Sequence, residues 1–210
     1  MTIEAVIWDF GGVISDSPFD AFLRYERERG LPEGFLRSVN ARNPLDNAWA
    51  RIERNACTAA EFDALFAAES AALGHEVRGA DVLALLDGAV RPEMVEALRR
   101  LRERMKIGCI TNYFLRADPD APPMSDKAAI MGLFHHVIES AKAGVRKPDP
   151  RIYRMMTEAL EVEPQACVYL DDLGINLKPA REMGMHTIKV VSAAQALDEL
   201  EALVGFPLRD

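Results

Sequence analysis

The chain opens on an unbroken apolar run, Ala5-Val6-Ile7-Trp8, that stops abruptly at Asp9. The run does not alternate, so the pattern predicts a strand over 2–9 covered by helices on both faces, as in a parallel sheet. Further strands are predicted at 106–111, 136–139, 166–170 and 186–190. Helical stretches separate them. One opens on Pro92, at a first helical position, and runs to Arg104 with Met94, Leu98 and Leu101 on one face. Others fall at 126–131, 150–160 and 175–183, and the last starts at Ala193. This alternation predicts an α/β fold, a doubly wound parallel sheet of Rossmann-like type.

Between Pro18 and Val90 the texture changes, with no convincing strand and helical patterns at 19–29, 32–38, 47–54, 58–73 and 79–86. Thr58-Ala59-Ala60-Glu61 is a capping-box start. The expected organisation is a sheet domain of residues 1–15 and 91–210 carrying an inserted α-helical domain of residues 16–90. The arginines of 21–54 are interspersed with acids and read as a solvated helical surface. Residues 117–123, with Pro119, Pro122 and Pro123, are too proline-rich for regular structure.

Bulk properties narrow the partners. At 210 residues the chain holds one sizeable core, or a core and a small accessory domain. A net charge of −8 argues against a nucleic-acid groove, and no apolar stretch approaches bilayer length, so neither nucleic acid nor membrane is expected as a partner. With Met1 leading directly into the first strand, no leader segment is expected. Cys57, Cys109 and Cys167 have no metal-binding spacing, and the last two sit in apolar runs, so buried thiols in a reducing cytoplasm are expected.

Four strand ends or post-strand loops carry polar side chains: Asp9, Thr111-Asn112, Lys147 and Asp171-Asp172. In a parallel sheet these ends share one edge, where distant residues converge on a single crevice. Each alone reads as a cap, a turn or a surface pair; all four at one edge point to chemistry. That chemistry is phosphoryl transfer through a carboxylate nucleophile, Asp9. Asp9 and Asp172 form a hard oxygen site suited to Mg2+. Lys147 supplies a point charge, and the Thr111 hydroxyl with nearby backbone N–H groups holds phosphoryl oxygens. Adjacent like charges such as Asp171 and Asp172 are costly without a cation.

The set Asp9-Phe10-Gly11-Gly12-Val13, Thr111-Asn112, Lys147-Pro148-Asp149 and Leu170-Asp171-Asp172 resembles the four motifs of the haloacid dehalogenase superfamily of aspartate-nucleophile hydrolases. The stretch 16–90 stands where that family places a helical cap of the first type. Val145–Tyr153 and Leu170–Arg181 are similar in texture to the phosphatase domain of soluble epoxide hydrolases and to a domain attached to some acyl-CoA dehydrogenases. The resemblance implies Asp9 as nucleophile and Mg2+ held by Asp9, the Gly11 carbonyl and Asp172, with Asp171 and Asn176 around it. The implied substrate is a small phosphorylated metabolite, contacted by Gly12, Asn112, Trp49 and Tyr113.

One departure stands out. Family phosphatases carry a second Asp two residues after the nucleophile as general acid, and here that position is Gly11. General acid–base help is worth about 10²–10⁴-fold. Ser15, Asp16 and His75 are candidate substitutes, though Asp16 also reads as a helix-start residue and His75 as a surface one. A 2-haloacid dehalogenase, which needs no metal, is a competing reading, as is a catalytically weak domain that binds a phosphorylated ligand. Trp49, Arg42, Asn43, Tyr113 and Phe114 are candidates for substrate choice, with Trp49 and Phe114 reading at least as well as packing residues. Trp8 reads as core, and His135 and His136 as structural.

Overall fold

A computed structural model describes residues 2–86, 88–112 and 125–209. Five parallel strands, β1 (Ala5–Trp8), β2 (Lys106–Thr111), β3 (His136–Glu139), β4 (Cys167–Asp171) and β5 (His186–Lys189), form one sheet in the order β3-β2-β1-β4-β5. The chain winds outward from β1 to β3, then returns to place β4 on the other side of β1. The crevice beyond the carboxyl ends of β1 and β4 is therefore the topological switch point, where such sheets bind ligands. Trp8 is in register with Cys109 on one side and Leu170 on the other, so Asp9, Thr111 and Asp171 lie within a residue or two of one line.

Strand alternation divides the core. Val6, Trp8, Ile107, Cys109, Val168 and Leu170 face α6 (Pro92–Arg102) and α11 (Ala193–Val204). Ala5, Ile7, Ile110 and Tyr169 face α9 (Pro150–Leu160) and α10 (Gly174–Glu182). Both faces are buried, which explains the non-alternating run that opened the chain.

Five helices lie between β1 and α6: α1 (Pro18–Arg29), α2 (Phe35–Ala41), α3 (Ala48–Ile52), α4 (Ala59–Ala71) and α5 (Gly79–Ala84). They pack about a cluster of their own built on Phe22, Phe35, Leu36, Phe62 and Phe66. The capping box at Thr58 forms as expected. The second helix does not. Pro32 suggested a start at 32, but the helix begins at Phe35, because the buried Glu26 carboxylate accepts the N–H groups of Gly34 and Leu36, each at 2.8 Å. That cap comes from another helix and leaves no local signal. The arginines of 21–54 are exposed or half-buried, as expected, but two of the acids among them are buried, Glu26 at 1% and Glu53 at 7% exposure.

A short helix α8 (Ser140–Ala143) follows β3 unannounced, and α7 (Ser125–Met131) precedes it. Residues 164–166 form a 3-10 turn, so β4 starts one residue later than expected and ends on Asp171. The proline-rich stretch, Tyr113 and Phe114 lie outside the described residues. Among those described, no helix is long and apolar enough to cross a membrane.

Gly108 fixes the seat of α9 on the sheet. A Cβ there would stand 2.4 Å from Met156 Sδ and 3.1 Å from Leu160 Cδ1. Gly108→Ala should destabilise the fold by about 1–3 kcal/mol through overpacking, read as a lower urea midpoint at unchanged slope.

Candidate active site

Asp9 follows β1 but remains tied to the sheet, its N–H donating to the Leu170 carbonyl at 2.8 Å. Its Oδ1 accepts the Phe10 N–H at 2.7 Å and faces Lys147 Nζ at 2.8 Å. Among the described residues these interactions leave Oδ2 free. Lys147 is 1% exposed, and its Nζ also reaches Asp171 Oδ2 at 2.9 Å. One ammonium is thus buried between two carboxylates.

Each partner is held in turn. The Asn112 amide grips both sides of Lys147: Oδ1 accepts the Lys147 N–H at 2.9 Å and Nδ2 donates to the Lys147 carbonyl at 3.1 Å. Asn112, expected to contact substrate, here commits its side chain to bracing the lysine. Strand alternation turns Asp171 to the same side as Tyr169, whose hydroxyl donates to Asp171 Oδ2 at 2.5 Å. Leu173 N–H and Asn176 Nδ2 donate to Asp171 Oδ1 at 2.8 and 3.1 Å. Asp171 is fully buried and satisfied by these donors, so its main structural task is to hold Lys147.

Asp172 lies one residue past β4 and accepts Ser17 Oγ on its Oδ2 at 3.3 Å. Gly12 beneath it has φ +74°, and a Cβ there would stand 2.3 Å from Asp172 Oδ2. Any side chain at 12 is excluded by both conformation and space. At Gly11, by contrast, no heavy atom of the described residues, its chain neighbours aside, lies within 4 Å of a Cβ position. Thr111 is buried at the end of β2 beside Asp9.

Electrostatics show what the site lacks. One oxygen each of Asp9, Asp171 and Asp172 lie within 4.8 Å of one another. Three carboxylates face a single ammonium. Burial raises Asp9 above the usual carboxylate range; Lys147 opposes this, and Asp171 and Asp172 add to it. Burial would lower Lys147, but Asp171 and Asp9 more than reverse that, so it stays protonated. Burial, reinforced by Asp171, pushes Asp172 up to about 6. A hard divalent cation fits this all-oxygen, charge-excess donor set. Cys109 and Cys167 offer no alternative nucleophile, because burial pushes Cys109 up and Cys167 up to about 12.

The other candidates separate. Trp49 packs edge-on against Phe22 and Phe62, and its Nε1 donates to Glu53 at 2.9 Å. Arg42 and Asn43 are exposed. Ser15 is buried in a bridge to Val90, and Asp16 pairs with Arg91 at 3.4 Å. His75 is exposed, its ring against Phe35. Trp8 is fully buried, and His135 Nδ1 accepts the Ile107 N–H at 3.0 Å. Tyr113 lies outside the described residues. The sequence reading missed Arg91, whose Nη1 donates to the Gly12 carbonyl at 3.0 Å, and Glu53, which meets Asn112 and Arg146. Both are long-range contacts with no local signature.

The haloacid dehalogenase-like hydrolase family model matches residues 3–184. The chain belongs to this hydrolase family. It is 33% identical over 98% of its length to mouse acyl-CoA dehydrogenase family member 10, and 31% identical over 99% to pig bifunctional epoxide hydrolase 2. It spans only 19% and 40% of those proteins. A phosphatase from Mycobacterium tuberculosis is 31% identical, with 94% of this chain and 92% of that protein covered. Among solved structures, a HAD family enzyme from Bacteroides thetaiotaomicron in complex with magnesium and inorganic phosphate superposes with a TM-score of 0.61 at 20% identity, covering 94% of this chain and 98% of that one. The L-2-haloacid dehalogenase of Xanthobacter autotrophicus gives the same score at 20% identity, covering 100% and 85%, so the fold is common to both chemistries.

The raised Asp172 value makes the metal-free hydrolase less stable as pH rises. A folded pKa of about 6 against an ordinary value of 3.8 means the native state holds the proton more tightly, so stability is lost between those values. At about 1.4 kcal/mol per pKa unit the loss is on the order of 2–3 kcal/mol by pH 7. In EDTA, Asp172→Asn should therefore unfold at a higher temperature than wild type at pH 7, with the gap closing near pH 4. Calorimetric melts across that range check this.

Proposed function

We propose that this hydrolase is a Mg2+-dependent phosphatase acting on a small phosphorylated metabolite through an aspartyl-phosphate at Asp9. The observation that carries the reading is the division of labour on Asp9. Oδ1 is fixed by Lys147 Nζ and the Phe10 N–H, which leaves Oδ2 to attack. A bond forms from Oδ2 to phosphorus as the phosphorus–oxygen bond to the leaving group breaks. Water then attacks the aspartyl-phosphate, releasing inorganic phosphate and restoring the carboxylate. Lys147 and the buried Thr111 hydroxyl favour the charge that develops on the phosphoryl oxygens.

Asp9, Asp172 and the Gly11 carbonyl would hold Mg2+, with Asp171 and Asn176 orienting the surroundings. When bound, the cation supplies positive charge for an attack of anion on anion. Gly12 and the backbone near Asn112 would receive the phosphate. The helical stretch 16–90 serves as a cap over a core of 1–15 and 91–210, with Trp49 near the leaving group. Nucleic acid and membrane are not its partners, and its free thiols suit a reducing cytoplasm. The excess negative charge favours a metal-dependent phosphatase over a haloacid dehalogenase, for which Asp172 would only repel an anionic substrate.

The test is phosphate release from p-nitrophenyl phosphate, sugar phosphates and alkyl phosphates, with and without Mg2+. Release should require Mg2+ and vanish in Asp9→Asn. Metal-independent halide release from 2-chloropropionate without any phosphatase activity would reverse the reading; Mg2+-dependent ligand binding without turnover would favour the binding-domain alternative.

The bare Gly11 makes a second outcome specific. No acid stands there to protonate a poor leaving group, so wild type should favour the activated ester. The open space admits a carboxylate, and Gly11→Asp should raise kcat on alkyl phosphates by about 10²-fold or more, with little change on p-nitrophenyl phosphate.

A further inference from the structure

Glu53 ends α3 in the cap, yet its contacts are in the core. Its backbone carbonyl accepts Ser140 Oγ at 2.6 Å. Its Oε2 lies 2.6 Å from Arg146 Nε, as an ion pair rather than an aligned hydrogen bond, and 3.4 Å from Asn112 Nδ2. Its Oε1 accepts Trp49 Nε1 at 2.9 Å, which fixes the carboxylate from the cap side. Arg146 is gripped a second time, Nη1 donating to the Pro44 carbonyl of the cap at 3.2 Å.

Arg146 and Asn112 are the two residues that frame Lys147. Arg146 precedes it in the chain, and the Asn112 amide is bonded to both its N–H and its carbonyl. Burying a carboxylate is costly unless it is paired, so this residue can sit between cap and core only with Arg146 and Asn112 facing it. The contact is also directional, because Asn112 cannot turn its Nδ2 away from Glu53 without exchanging its bonds to Lys147.

We infer that Glu53 is a positioning residue: a cap carboxylate that, by clamping Arg146 and Asn112, holds Lys147 against Asp9 when the cap is seated. The clamp ties cap seating to charge placement, so the site is fully assembled only with the cap in place. It acts on the reacting oxygens through other residues and donates no proton itself. The kinetic half of the inference rests on the phosphatase reading; the structural half does not.

The experiment compares wild type, Glu53→Gln, Arg146→Ala and the double variant. Glu53→Gln keeps the volume and an acceptor for Trp49 but removes the charge. Acrylamide quenching reports cap seating, because Trp49 lies beside the clamp while Trp8 is buried in the core. Each single variant should quench more readily than wild type. On p-nitrophenyl phosphate with saturating Mg2+, kcat per folded molecule should fall about 10–100-fold, with KM changed less than threefold. The double variant should be no worse than the poorer single. Wild-type kcat per folded molecule in Glu53→Gln overturns the inference, whether or not quenching or melting temperature moves; so does full additivity in the double variant. If wild type itself hydrolyses no phosphate ester, the phosphatase reading fails. The quenching comparison then decides the clamp: a rise in both single variants supports it, and no rise overturns it.

Discussion

The constraint on which the structure turns is an ammonium group buried where water cannot solvate it. Lys147 survives there because Asp9 and Asp171 both approach within 2.9 Å, and much of the surrounding sequence keeps those groups in place. Tyr169, Asn176 and Leu173 hold Asp171, while Asn112 holds the lysine backbone. Removing one member of such a buried pair costs about 3–5 kcal/mol, because the other is left charged without a partner. Even so, the ammonium neutralises one of three carboxylates. The fold thus gathers more negative than positive charge at the switch point of its sheet.

The two sides of this acidic site are built differently. On one side Asp9 is braced by two donors, Lys147 by two carboxylates, and Gly12 by a steric fit to Asp172 that admits no side chain. At Gly11, among the described residues, nothing beyond its chain neighbours lies within 4 Å of a Cβ position. Membership of the hydrolase family accounts for the general arrangement; the braced Asp9 and the bare Gly11 are what the chain itself displays.

Much of this was legible in the sequence because it depends on local pattern. The strands at Lys106–Thr111 and His136–Glu139 and the helix Pro150–Leu160 have the bounds their sequence pattern implies, the first because everything past Lys106 is buried. Asp9, Thr111, Lys147 and Asp171-Asp172 were readable as one group because parallel strands carry their ends to one edge. What escaped was made by tertiary contact. The start of α2 is set by Glu26 from a neighbouring helix, and α8 is too short to show a period. Glu53 looked like one more charge among arginines; its partners Asn112 and Ser140 are 59 and 87 residues away. The amide of Asn112 could be assigned to substrate as readily as to backbone until the neighbouring loop was in place.

The path by which the chain leaves and re-enters the sheet domain has a consequence of its own. Ser15 and Val90 form an antiparallel bridge, the Asp16 N–H donates to the Ala89 carbonyl, and the Arg91 N–H donates to the Ile14 carbonyl. Exit and return are stitched side by side, with Arg91 reaching the Gly12 carbonyl three residues after Asp9. From the sheet's side, the intervening stretch is a loop whose ends are already closed. Closure entropy grows only with the logarithm of loop length, each doubling adding about 0.6 kcal/mol. The sheet can therefore tolerate lengthening, shortening or exchange of what hangs from that stitch at little cost to its own folding, leaving the suspended segment free to diverge in shape while the carboxylates beneath it stay where they are.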